Sequence, residues 1–155
     1  MNIESIKDIM DAFDPASLLP DLTSVAGTIA FISRLCVLAG PIVVLLLGLG
    51  YFFIAPKEAN HYFGYRCIFG MGSVEAWRFT QRLAGMVFGG LGLVLTLVML
   101  LVSGNFSGMD TMDMVWKAFK CLIWECVLIG GGCLGINVIA ALRFDYKGNF
   151  RKKKG

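Results

Sequence analysis

Three uninterrupted apolar runs, Leu35 to Ala55, Leu83 to Val102 and Cys121 to Leu142, constrain this chain more than any motif it carries. At a rise of about 1.5 Å per residue, some 20 helical residues match a hydrocarbon core of about 30 Å, so each run is long enough to cross a bilayer. The runs lack the period-2 alternation of membrane strands, which sets a β-barrel aside. Composition agrees: 57% of the residues are hydrophobic and 16% charged, where an ordinary soluble domain carries about 25% charged residues. With a mean hydropathy of +0.72, the soluble globular class is excluded. Disordered, collagenous and coiled-coil classes go with it, for want of a polar low-complexity tract, a Gly-X-Y period or a sustained heptad. The expected fold is an all-α integral membrane protein with three transmembrane helices.

The net charge of +3 is informative through its distribution. Residues 1 to 33 carry Lys7 against Glu4, Asp8, Asp11, Asp14 and Asp21, whereas residues 56 to 82 carry Lys57, Arg66, Arg78 and Arg82. Residues 103 to 115 hold no Lys or Arg, and the tail after Leu142 holds Arg143, Lys147, Arg151, Lys152, Lys153 and Lys154. Because basic residues are retained in the cytoplasm, the expected topology puts the N-terminus outside, the first loop inside, the second loop outside and the C-terminus inside. Lys117 and Lys120 dissent and are expected to snorkel or to partner Glu125. The chain divides into an acidic external segment (1–27), a three-span membrane domain (28–147) and a basic cytoplasmic tail (148–155). The acidic start does not suit a cleavable signal peptide, so the segment is expected to stay on the mature protein. Ile3, Ile6, Met10 and Phe13 predict a short amphipathic helix over residues 2 to 13, lying on the protein's own outer face or meeting a partner.

Within the spans, Pro41 removes a backbone donor and leaves the carbonyl of Val37 without its helical partner, which predicts a kink. Gly85 with Gly89, and Gly131 with Gly135, have the small-x-x-x-small spacing of closely packed membrane helices. Of the five cysteines, Cys36, Cys121, Cys126 and Cys133 lie in or beside apolar runs. They read as packing thiols: no pair has zinc-ligand spacing, and His61 is the sole histidine. No metal, cofactor or catalytic motif is present, and an enzyme is not expected. Glu125 and Asn137 are the polar residues inside the membrane. Twelve residues apart, they stand about 120° from one another on a helix and do not line one narrow path. Glu125 is expected to be an interfacial carboxylate near Lys120, with a proton relay as the alternative; Asn137 is expected to donate an interhelical hydrogen bond.

The densest polar information lies between the first two spans. Gly64, Gly70 and Gly72 favour turns, Ser73 suits an N-cap, and Glu75 suits a first helical turn. A helix is therefore predicted to run unbroken from Val74 into the second span, with Glu75, Arg78 and Arg82 on one side and Val74, Trp77, Gln81 and Ala84 on another. Trp77 then faces protein or the headgroup layer. Tyr65, Arg66 and Trp77 are expected to anchor at the interface, or else to present a surface for a cytoplasmic partner.

These residues carry a resemblance. Pro56, Asn60, Gly64-Tyr65-Arg66, Met71, Trp77 and Phe79 stand in the order, spacing and membrane position of the signature of the SdpI family of bacterial membrane proteins. The chain departs from that pattern at Cys67, Gly70, Ser73 and Gln81, where the family carries Thr, Ser, Asn and Asn. The likeness covers Pro56 to Gln81 and, with its flanking spans, roughly residues 35 to 103. It implies a multi-pass protein of the bacterial cytoplasmic membrane. It also implies immunity against, or sensing of, a membrane-active peptide toxin, with the signature residues as the partner-binding site. The partners expected are the lipid bilayer, a peptide toxin or a cytoplasmic regulator, and no nucleic acid; the basic tail is read as holding anionic lipid. Three spans bury little surface, which leaves room for a homo-oligomer. The alternatives are a small transporter or transporter subunit, using Pro41, Glu125 and Asn137, and a scaffold that modulates other membrane proteins.

Overall fold

The computed structural model describes residues 22–56, 58, 59 and 62–151. Three helices account for most of them: α1 (Leu22–Phe53), α2 (Val74–Gly104) and α3 (Thr111–Arg143). All three are long and apolar enough to cross a membrane. The amphipathic helix expected over residues 2 to 13, Asn60 and the terminal lysines lie outside the described residues.

The second and third expected spans sit inside longer helices, and the first, which starts well inside α1, overruns its end at Phe53 by Ile54 and Ala55. α2 begins at Val74, as the Ser73 cap predicts: the Ser73 hydroxyl accepts the N–H of Ala76 at 3.1 Å, and Glu75 lies in the first turn. α1 starts thirteen residues before Leu35 and α3 ten residues before Cys121. The latter is set by Asp110, whose carboxylate accepts the N–H of Met112, with Asp113 in the first turn and Arg143 in the last to match the helix dipole. A short 3-10 turn, Asn105–Gly108, is nearly all that separates α2 from α3.

α1 and α2 form the intimate pair. A Cβ on Gly48 would collide with the backbone of Phe88 and Gly89, one on Gly85 would stand 2.8 Å from the Phe52 nitrogen, and one on Gly92 would meet the backbone of Leu45. Small residues thus let the two backbones approach along about two turns, which is how helices associate where lipid removes the hydrophobic drive. The pairing expected for Gly85 and Gly89 is made here, within one chain. Gly131 and Gly135 differ: nothing lies within 4 Å of a Cβ built on either, so their spacing serves no contact among the described residues.

Two apolar clusters hold the bundle. One, at the end nearer the 3-10 turn, gathers Val37, Leu95, Met99, Phe106, Met114 and Ala118; the other, toward the 54–73 loop, gathers Val44, Ala84, Phe88 and Ile136. The outward faces carry Leu46, Leu97, Leu101, Trp124 and Leu134, all exposed. In a chain with three such helices these are lipid-facing surfaces. Arg34, in the first half of α1, turns to the 3-10 turn, donating Nε to the Ser103 carbonyl at 3.1 Å and a terminal nitrogen to the Ser107 hydroxyl.

Candidate functional site

The 54–73 loop folds back over the ends of the helices and is stapled to all three. Its centre is Gly64-Tyr65. Gly64 has φ +133°, and a Cβ there would stand 2.6 Å from the Trp77 ring, so both backbone conformation and space require glycine. The turn delivers Tyr65 to Gln81 of α2, which clamps its backbone from both sides. Gln81 Oε1 accepts the Tyr65 N–H at 2.8 Å, and Gln81 Nε2 donates to the Tyr65 carbonyl at 2.7 Å. Gln81 thereby does for one loop residue what a neighbouring strand would do, and a side chain only 2% exposed has its polar atoms satisfied.

From that clamp the Tyr65 side chain reaches across to α3. Its hydroxyl donates to the Cys133 carbonyl at 3.2 Å and accepts from Asn137 Nδ2 at 2.9 Å; the same amide also donates to the Cys133 carbonyl at 2.9 Å. The ring packs on Phe88, centroids 5.6 Å apart, and edge-on to Tyr51. Burial pushes the phenol from near 10 up to about 12, the Cys133 and Cys67 sulfurs adding to the rise and the Asn137 hydrogen bond opposing it.

Trp77, one helical turn before Gln81, is fully buried and donates its indole N–H to the Pro56 carbonyl at 2.9 Å. That bond ties the exit of α1 to the first turns of α2. Next to it, the Cys67 sulfur accepts the N–H of Gly70 at 3.2 Å, and a Cβ at residue 70 would press on Thr80. On the far side of the loop, the Ser73 hydroxyl donates to the Gly148 carbonyl at 2.8 Å, and the backbones of Gly72 and Gly148 are in contact. Phe144 to Arg151 form a turn closed by a Phe144–Phe150 bridge. Within it Arg143 lies 4.3 Å over the Phe79 ring, which also stacks on Phe144. The boundary drawn at 147/148 from charge alone falls inside this turn.

The signature residues therefore divide by environment. Gly64 and Tyr65, half-buried, and Trp77, fully buried, belong to the staple, and Phe79 anchors the C-terminal turn. Arg66 and Met71 stand exposed beside Ile68 on the loop's outer face; Asn60 lies outside the described residues. Two expectations are refined. Of the two settings expected for Trp77 the structure has the one facing protein, and Tyr65 turns inward instead of anchoring at the interface, because each has a polar partner that holds it inward, Pro56 for Trp77 and Cys133 with Asn137 for Tyr65. Glu125 is not an interfacial carboxylate beside Lys120: five positions apart, those side chains diverge by about 140° on a helix. Glu125 is instead buried against Gly40 of α1. Asn137, expected to donate to another helix, donates instead to the loop's Tyr65 and to the Cys133 carbonyl of its own helix. Gln81 and Cys133 were not among the expected site residues, although the placement of Gln81 on the face of Trp77 and Ala84 already pointed inward.

Comparison with curated proteins gives no significant match, and comparison with solved structures gives none. The SdpI/YfhL protein family model matches residues 57–142, more than half of the chain and wider than the signature itself. It takes in α3, whose Cys133 and Asn137 complete the staple built by Tyr65. By that match the chain belongs to the SdpI/YfhL protein family.

Proposed function

We propose that this protein acts without catalysis in immunity against, or sensing of, a membrane-active peptide, with the outer face of the 54–73 loop as its cytoplasmic contact surface. One observation carries this reading: the family signature is split between residues consumed by the staple and residues at the surface beside it. Arg66, Ile68 and Met71 are exposed, while Gly64, Tyr65, Trp77 and Gln81 fix the backbone beneath them. A loop pinned at Pro56, Tyr65, Gly70 and Ser73 loses little conformational entropy on meeting a partner, so a few exposed side chains suffice for recognition. Arg66 offers a planar set of donors suited to a carboxylate or phosphate, and Ile68 and Met71 offer apolar contact.

The charge asymmetry supports a cytoplasmic setting for the loop, with Arg66, Arg78, Arg82, Arg143, Lys147 and Arg151 against the Lys- and Arg-free stretch 103–115. Toward the opposite end, a groove of about 470 Å³ opens between the first half of α1 and the α2–α3 connection, lined by Ala30, Phe31, Arg34, Phe106 and Met109 among others. An inserting peptide has a place to lie there.

Expression of the unaltered chain in a peptide-sensitive bacterium is the test. Survival in a panel of membrane-active peptides rises, and Arg66→Ala with Met71→Ala removes the gain while the protein still accumulates in the membrane. Unchanged killing across the panel overturns the reading. Reporters fused after residues 27, 68, 108 and 155 alternate out, in, out, in; a cytoplasmic residue 108 overturns the orientation.

A further inference from the structure

Glu125 lies about 21 Å along α3 from Thr111 and about 27 Å from Arg143, at about 1.5 Å per residue, which places it in the middle of a candidate span. It is 2% exposed, and Oε1 has no hydrogen-bond partner among the described residues. Oε2 stands 2.8 Å from where a Cβ on Gly40 would be. The carboxyl group is thus seated directly on the backbone of α1, in space that only glycine leaves.

Among the described residues none supplies it with a compensating charge. The apolar cluster at this level contains Val37 of α1, Leu91 and Leu95 of α2, and Cys121 and Ile129 one turn to either side on α3. Cys121 is the titratable neighbour. Lys117, two turns back, directs its ammonium to the Met109 sulfur at 3.8 Å, and Arg34 is engaged with Ser103 and Ser107. No group of three or more metal-ligating side chains occurs among the described residues, so the surroundings do not form a cation cage. An ionised carboxylate buried without a donor is strongly disfavoured and takes up a proton instead.

The opposing wall has the complementary defect. Pro41, next to Gly40, has no N–H, so the carbonyl of Val37, directed along the helix toward that level, lacks its usual donor. Glu125 Oε1 thus lacks a donor among the described residues, and the neighbouring turn of α1 lacks the helical N–H that Pro41 removes. A single proton on Glu125 supplies a donor there.

We propose that Glu125 is a membrane-embedded proton-binding site, protonated while α1 and α3 are in contact at Gly40, and that loss of this proton separates the two helices there. The inference is independent of the immunity reading, since it concerns the carboxyl group whatever the protein's partner.

Infrared spectra of the full chain in lipid vesicles at neutral pH, unaltered minus Glu125→Gln, show the carbonyl stretch of a protonated carboxylic acid, and the band disappears as the pH is raised. Glu125→Gln, which mimics the protonated state, keeps a melting temperature that is flat over the same pH range, while that of the unaltered chain falls. Dicyclohexylcarbodiimide, which adds to protonated carboxyl groups in apolar surroundings, marks Glu125 of the unaltered chain at neutral pH, a readout that needs no variant to fold. A neutral-pH difference spectrum without the acid band, absence of adduct at Glu125, or a melting profile with the same pH dependence in Glu125→Gln overturns the proposal.

Discussion

Gln81 holds the peptide backbone of Tyr65 by both of its polar groups, accepting the N–H at 2.8 Å and donating to the carbonyl at 2.7 Å across sixteen residues of sequence. Replacing it by Met keeps most of the volume and leaves both backbone groups without their partners. The unmet groups are expected to cost about 2 kcal/mol together. Thermal unfolding in detergent measures this as a lowered midpoint, and accelerated proteolysis within residues 58–70 locates it in the loop. Gln81→Glu keeps an acceptor for the N–H but sets a carboxylate oxygen against the Tyr65 carbonyl, and is expected to be at least as damaging.

Tyr65 and Asn137 share a hydrogen bond at 2.9 Å and a common third partner, the Cys133 carbonyl. Tyr65→Phe and Asn137→Leu are therefore expected to be non-additive, with a coupling of about 0.5–1.5 kcal/mol in a double-mutant cycle. The phenol also gives a pH signature. Because its value is raised from near 10 to about 12, its contribution is full below pH 10 and is lost as the pH rises through 12. The stability difference between the unaltered chain and Tyr65→Phe is expected to shrink over that window.

The glycines separate into two classes by what stands opposite them. A side chain at Gly92 meets the Leu45 backbone, whereas Gly131 faces nothing within 4 Å. Gly92→Leu is expected to force α1 and α2 apart and cost about 3 kcal/mol or more. Gly131→Ala is expected to leave the isolated chain at least as stable, since alanine is the better helix former. Parallel melting curves of the two variants decide it.

Hydropathy alone marked all three membrane helices, and the i, i+4, i+7 pattern of Trp77, Gln81 and Ala84 marked the buried side of α2, although Val74, read on the same side, is exposed; both signals are local in sequence. The helix ends were less legible. α1 and α3 reach back to Leu22 and Thr111 through residues whose polarity ends a hydropathy window but does not break a helix, and this moved Glu125 from the edge of a span to its middle. The staple was illegible in a stronger sense. Tyr65 and Asn137 are separated by 72 residues, and no local pattern says that a tyrosine of the loop will turn inward to a span. Family resemblance singled out Gly64, Tyr65 and Trp77, but only the hydrogen bonds of Tyr65 to Asn137 and of Trp77 to Pro56 show that both side chains turn inward.

Asp145 organises the turn after α3, its carboxylate accepting the N–H groups of Lys147 and Asn149 at 2.9 Å each. Those bonds, the Asn149 backbone first, hold the carboxyl below its ordinary value. A depressed value means that the turn is supported above the ordinary carboxylate range and loses that support as the pH falls through the lowered value. Amide exchange at Asn149, corrected for its intrinsic rate, is expected to speed up on acidification, and Asp145→Ala to show the fast rate at all pH values.

Ser73 occupies a junction between two elements, accepting the Ala76 N–H to start α2 and donating its own proton to the Gly148 carbonyl. A single hydroxyl thus caps a helix and pins the C-terminal turn. Ser73→Ala removes both and is expected to cost about 1–2 kcal/mol, the cap accounting for about 1. Ser73→Asp separates the roles: the carboxylate still caps, and favours the helix dipole, but has no proton for the Gly148 carbonyl. Its overall stability is expected to stay near that of the unaltered chain while the turn detaches. Detachment is read from Phe79 and Phe150, whose ring contacts with Phe144 at 5.6 and 4.8 Å depend on the docked turn. Loss of their dispersed ring NMR shifts in Ser73→Asp, with the helix content unchanged, is the expected result; unchanged ring shifts would show that Phe144 and Arg143 hold the turn without the Ser73–Gly148 bond.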